Sequence, residues 1–191
     1  MGAQDRMDLD FTMRPAKSAA TDAAQRPAKS TAADVTVQPE IGTQRPGKGA
    51  NFIVYARGGV ARRTAAPDAP VLIVEDDEDV RRLLERVLTL EGFPVRTAAD
   101  GHQFVQAIRQ RPLPCLILLD VELPRISGFR LLGFLRQEPQ TSAIPVVMVT
   151  ARSENKDLLQ GLSLGADGYL SKPVTIEALR AIVGKLLARP A

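Results

Sequence analysis

The chain has 191 residues, 45% of them hydrophobic and 25% charged, with a formal net charge of +3. This composition excludes wholesale disorder and suits one ordinary domain with an appendage. No run of 18 apolar residues occurs, no secretory signal is recognisable, and one cysteine (Cys115) with one histidine (His102) excludes a disulfide framework and a Cys/His zinc site.

The charge is unevenly spread. Residues 1–68 hold ten basic and seven acidic side chains, and residues 69–191 hold fifteen of each. The pI near 9.3 therefore reflects a tail rather than a focused basic face. Residues 1–50 are rich in Ala, Pro, Thr and Gln, and a phrase recurs irregularly: Arg14-Pro15-Ala16-Lys17-Ser18, Arg26-Pro27-Ala28-Lys29-Ser30, then Arg45-Pro46-Gly47-Lys48-Gly49. Such a segment buries too little surface to offset its ordering entropy, so residues 1–68 are expected to be a disordered, low-complexity extension. Within it, residues 52–55 (Phe-Ile-Val-Tyr) are an apolar patch followed by Arg57, Arg62 and Arg63. They read as a sticky linker or a stray strand, in preference to a docking segment.

From residue 69 the texture changes. Val71–Val74 is a continuous apolar run, as are Pro114–Leu119 and Pro145–Val149. Each reads as a strand buried on both faces. Pro94–Thr97 and Gly168–Ser171 are weaker strand candidates. Helical spacing lies between and after them. Val80, Leu83, Leu84, Val87 and Leu88 share one face, with Glu78 and Asp79 in the first turn and Gly92 as stop. Phe104, Val105 and Ile108 mark a second helix, and Phe129, Leu131, Leu132 and Leu135 a third, limited by Pro139. Leu158, Leu159 and Leu162, with Ser153 as cap, mark a fourth. Ile176, Leu179, Ile182, Val183, Leu186 and Leu187, with Thr175 as cap, mark a fifth that ends near Arg189. Five strands alternating with five helices predict an α/β, doubly wound parallel sheet. The compact solution with right-handed crossovers is the flavodoxin-like (βα)5 order 2-1-3-4-5.

In that order the first and third of these strands are neighbours, and the strand order reverses between them. Ligands bind in the crevice beyond their C-terminal ends. The first strand runs into Glu75-Asp76-Asp77 and the third into Asp120. Carboxylates converging on one point repel each other, and a hard divalent cation such as magnesium resolves the conflict. Thr150 ends the fourth strand, and Lys172-Pro173 follows the fifth. A carboxylate can attack a phosphoryl group to give an aspartyl phosphate. Asp120, alone at the end of the central strand, is the best nucleophile, while Thr150 and Lys172 can stabilise the phosphoryl oxygens. Taken singly, each of these residues also reads as a cap or a turn, and Asp77 to Asp79 read best as a helix cap. Four of them at four strand ends make a site.

The arrangement resembles the receiver domain of bacterial two-component response regulators, of the single-domain type. The stretches that carry the resemblance are Val71 to Asp77, Leu116 to Pro124 with Gly128-Phe129, Val149-Thr150-Ala151, and Gly165 to Pro173. They lie in order within residues 69–191, the expected receiver domain. The resemblance implies Asp120 as phospho-acceptor, Asp76 as a direct magnesium ligand, Glu75 as its water-mediated neighbour, and the Glu122 backbone carbonyl as a further ligand. It implies Thr150 and Lys172 as phosphoryl-binding groups, Tyr169 as the switch aromatic, and a cis bond before Pro173. Arg125 stands where the family often has glycine, and Glu122 and Arg152 occupy positions that tune phosphate lifetime.

The implied protein is a phosphorylation-controlled switch rather than an enzyme. Its expected partners are a sensor histidine kinase or histidine phosphotransfer protein, an output protein, and a second copy after phosphorylation. A cytoplasmic location is expected, with no membrane span and no nucleic-acid site. Three other functions compete with it: a receiver-like module that is never phosphorylated, an aspartyl-phosphate phosphatase, and nucleic-acid binding through the tail, which ten scattered basic residues against seven acidic ones support poorly. The phosphatase is disfavoured because the haloacid-dehalogenase nucleophile ends the first strand, whereas Asp120 ends the third. Cys115 and Phe104 read as core, as does Phe93, and His102 reads as exposed.

Overall fold

A strand in the middle of a parallel sheet must be apolar on both faces, and the runs around Val71, Leu116 and Val146 meet that demand. The computed structural model describes residues 52–54, 68–151 and 155–187. The expectations placed on residues 1–51 and 55–67 and on Arg152 and Ser153 lie outside them, whereas the fifth helix ends at Leu186 with Leu187 as its C-cap, short of the expected end near Arg189.

In chain order the elements are β1 (Phe52–Val54), β2 (Val71–Val74), α1 (Glu78–Leu90), β3 (Val95–Ala98), α2 (Gly101–Arg109), β4 (Leu116–Asp120), α3 (Gly128–Gln137), β5 (Val146–Thr150), α4 (Asn155–Ser163), β6 (Gly168–Ser171) and α5 (Ile176–Leu186). The sheet order is β1-β6-β5-β4-β2-β3. From β2 onward all pairs are parallel, and counted from β2 this is the expected flavodoxin-like 2-1-3-4-5. The sixth strand is the addition. β1 pairs antiparallel with β6, so the stray-strand reading is the one that describes residues 52–54, and the sheet reaches N-terminal of residue 69. Phe-Ile-Val is a β-prone triplet, and an edge strand offers it unpaired backbone groups.

Side chains alternate between two layers with the period of two that a strand imposes. Leu72, Val74, Ile117, Leu119, Val146, Met148 and Tyr169 pack toward α2 and α3. Val71, Ile73, Leu116, Leu118, Val147, Val149 and Leu170 pack toward α1 and α5. Each fully buried aliphatic side chain contributes about 1.5–3 kcal/mol, so the central strands carry much of the stability.

The helix faces are narrower than their spacing suggests. Leu83 is 43% exposed, because a step of one residue turns it away from the buried face of Leu84, Val87 and Leu88. Leu159 and Ile176 are exposed as well. Phe104 is fully buried, Phe93 is partly buried, and His102 is exposed. Cys115 is buried, with its thiol donating to the Ala69 carbonyl at 3.3 Å.

Caps set the helix starts. Asp77 accepts the N–H groups of Asp79 and Val80, and Thr175 accepts that of Ala178. Asp100 and Ser127 cap α2 and α3 in the same way, two caps the sequence reading did not single out. The chain leaves α1 through Gly92 at φ 81, and the Lys172–Pro173 bond is cis as expected.

Candidate functional site

Parallel strands deliver their C-terminal residues to one rim, and the register decides which side chains meet there. Val74 pairs with Leu119, so the next residues, Glu75 and Asp120, leave neighbouring strands side by side. Glu75 is 1% exposed and Asp120 2%, while Asp76 faces solvent. One carboxylate oxygen from each of the three lies within 4.8 Å of the others.

Lys172, one residue past β6, reaches across this gap. Its Nζ donates to Glu75 Oε1 at 2.7 Å and to Asp120 Oδ2 at 2.8 Å. The second oxygen of Asp120, Oδ1, accepts the Glu122 N–H at 3.0 Å, whereas Glu75 Oε2 is buried with no hydrogen-bond partner. One ammonium therefore bonds two of the three clustered carboxyl groups.

The electrostatics follow from that imbalance. Burial pushes the Glu75 carboxyl up to about 7, with the hydrogen bond from Lys172 pulling it back and the charge of Asp120 pushing it further up. For Lys172, burial alone would lower the pKa. Its hydrogen bonds to Asp120 and Glu75 outweigh that and hold it above the ordinary lysine value, so the ammonium stays charged.

Thr150 is buried at the end of β5. It follows Val149, the register partner of Asp120, and its carbonyl accepts the Lys172 N–H at 2.8 Å. Tyr169 stands apart from the acids, buried in the core. Its ring lies over Gly161 of α4, where an added Cβ would come within 1.6 Å of the phenolic oxygen. The side chain of Glu122 is exposed, and this residue meets the site through its backbone. The fold thus gathers Glu75, Asp76, Asp120 and Lys172 into one cluster, with Thr150 on its rim and Tyr169 behind it.

Three supporting roles were not legible beforehand. Arg81, on the first turns of α1, turns back to donate to the carbonyls of Glu75 (2.8 Å) and Asp76 (3.1 Å) and so holds the acid loop. Gly128 starts α3 so close to β4 that a Cβ would lie 2.0 Å from the Asp120 carbonyl oxygen. Arg125 holds φ 68, a left-handed conformation that glycine adopts without steric cost. Advance signals existed at the last two positions: Gly128 belongs to a stretch that carries the family resemblance, and Arg125 stands where the family often has glycine.

The sequence profile of the response regulator receiver domain family matches residues 71–184. The transcriptional regulatory protein GltR of Pseudomonas aeruginosa is 40% identical over 119 residues, covering 62% of this chain and 49% of that protein. The phosphate regulon transcriptional regulatory protein PhoB of Rhizobium meliloti is also 40% identical over 119 residues, covering 62% and 52%. This chain spans about half the length of the curated relatives it matches. The crystal structure of chemotaxis response regulator CheY4 of Vibrio cholerae superposes with a TM-score of 0.57 at 30% identity, covering 62% of this chain and 98% of that one. No helix among the described residues is long and apolar enough to cross a membrane.

Proposed function

This chain belongs to the response regulator receiver domain family, and from that premise we propose that it is a phospho-accepting switch with Asp120 as acceptor. The observation that carries the reading is the Lys172 ammonium, bonded at once to Glu75 and Asp120 from a third strand end. A fixed cation beside a buried carboxylate suits the transfer of an anionic group to that carboxylate.

The donor set fits a hard divalent cation. Three carboxyl groups cluster here with the ammonium bonded to two of them, and the buried Glu75 Oε2 lacks a partner, as expected where an ion or its water belongs. Asp76, Asp120 and the Glu122 carbonyl would hold magnesium, with Glu75 acting through water. When bound, the ion supplies the positive charge that lets a phosphoryl group approach three acids.

The protein side chains do the rest. A carboxylate oxygen of Asp120 attacks phosphorus in the phosphohistidine of a kinase or phosphotransfer protein. The P–O bond forms as the P–N bond breaks, and the imidazole leaves with the electron pair. Lys172 stays with the phosphoryl oxygens, and the Thr150 hydroxyl donates to one of them. Movement of Thr150 and Tyr169 then biases the surface of α4, β6 and α5 between two states, one of which binds an output protein or a second copy. A cytoplasmic location belongs to the same proposal.

The test is intact mass after incubation with magnesium and acetyl phosphate, beside an Asp120→Asn control. The expected outcome is the gain of one phosphoryl group, lost without magnesium and absent in the control. No gain, with no detectable magnesium binding, would leave a receiver-shaped interaction module instead.

A further inference from the structure

The acid cluster occupies the C-terminal ends of the strands, and the β6 edge of the sheet is a separate feature. Five strands in this order would leave β6 with a row of outward N–H and C=O groups, a template for any extended chain. Here that edge is covered. Phe52 stands opposite Leu170, Ile53 opposite Tyr169 and Val54 opposite Gly168, and α5 runs close beside β1. We propose that residues 52–54 are an intramolecular cap that closes the β6 edge to other strands, and that its release is coupled to the charge at the acid cluster. The coupling rests on the phospho-acceptor reading above; the cap does not.

The direction of β1 favours its own chain as occupant. Because β1 is antiparallel, it ends at Gly168, the N-terminal end of β6. The parallel strand β2 begins at that same end of the sheet. The connection has to cross four strand spacings, about 19 Å. Residues 55–70, at about 3.3 Å each when extended, reach more than twice that span. A tether of this kind holds the segment near its edge at an effective concentration on the order of millimolar, which a second copy at ordinary concentration does not match.

The coupling runs along β6 itself. Tyr169, the partner of Ile53, is three residues from Lys172, whose ammonium binds both Glu75 and Asp120. The Lys172 N–H also binds the Thr150 carbonyl. A phosphoryl group on Asp120 changes what Lys172 is bonded to, and a shift of the β6 end is borne by a ladder only three residues long. Linkage makes the effect reciprocal: if phosphorylation weakens the cap, loss of the cap favours the phosphorylated state.

The test uses the full chain, as wild type and as Ile53→Pro and Val54→Pro, with backbone hydrogen exchange read by mass spectrometry at two protein concentrations. Adjacent residues of a strand turn their N–H groups to opposite sides in the sheet plane, so one of the two prolines removes a ladder bond. Residues 168–171 should exchange about tenfold faster in that variant while 116–120 stay protected. Unchanged exchange at 168–171 in both variants overturns the cap. Protection that rises with protein concentration assigns the strand to a second copy and overturns the intramolecular cap. For the coupling, wild type is first shown by intact mass to carry the phosphoryl group. Faster exchange at 52–54 and 168–171 supports it, and unchanged exchange on a phosphorylated chain overturns it while the acceptor reading stands. A chain that takes no phosphoryl group overturns the acceptor reading and the coupling together, and the proline variants still decide the cap.

Discussion

Glu75 is the residue at which the site's conflict is most visible. Its carboxyl is buried, holds Lys172 through one oxygen and leaves the other unpartnered, and its pKa is pushed up from 4.5 to about 7. A folded-state value above the unfolded one means that the folded protein binds the extra proton between these two values. Stability from this group is therefore full below about pH 4.5 and is lost as pH rises through about 7. The metal-free protein should show a urea midpoint that falls across this window, and Glu75→Gln should remove that slope. An equal slope in the variant would assign the pH dependence elsewhere. Glu75, Asp76, Asp120, Thr150 and Lys172 were all legible in the sequence, because strand ends in a parallel sheet share a rim. Arg81 was not, since its role depends on a side chain folding back six residues onto the Glu75 carbonyl, which no spacing rule encodes.

At the scale of the element, α4 and β6 depend on one close approach. The Tyr169 ring sits where a Cβ on Gly161 would be. Gly161→Ala should thus expel the ring or strain the helix, at a cost of about 1–3 kcal/mol. In a Tyr55→Phe background, Tyr169 is the remaining tyrosine of the two in the chain, and its fluorescence should become accessible to an aqueous quencher. A ring that stays shielded, at unchanged stability, would show that the contact tolerates a methyl group. The strands and helices from Val71 onward could be placed from their apolar periods, within about three residues at their ends, α5 stopping at Leu186 rather than near Arg189. The triplet 52–54 could not be placed, because three β-prone residues have no period, and their strand exists only through the β6 edge they meet.

Across the whole molecule, the starts of β5 and β6 are tied to α3 by one ion pair. Arg136 donates to Asp167 at 2.9 Å and to the carbonyls of Ser142, Ile144 and Gly165, while Asp167 also accepts the Val146 N–H. Both side chains are largely buried. Removing one partner leaves a buried charge uncompensated, so Asp167→Ala should cost about 3 kcal/mol in urea unfolding, at the low end for a broken buried pair. A loss within ~0.5 kcal/mol would mean that water replaces the carboxylate. By itself the sequence determined the alternation of elements, the flavodoxin-like order and the residues that meet at the rim. Apolar period and handedness act over a few residues and leave few topologies. The Arg136–Asp167 tie, the bridging by Lys172 of two acids from other strands, the outward turn of Leu83 and the capping of β6 by residues 52–54 were decided only in the tertiary structure. Each depends on groups distant in the chain, or on a choice between equal faces, and only packing selects among those.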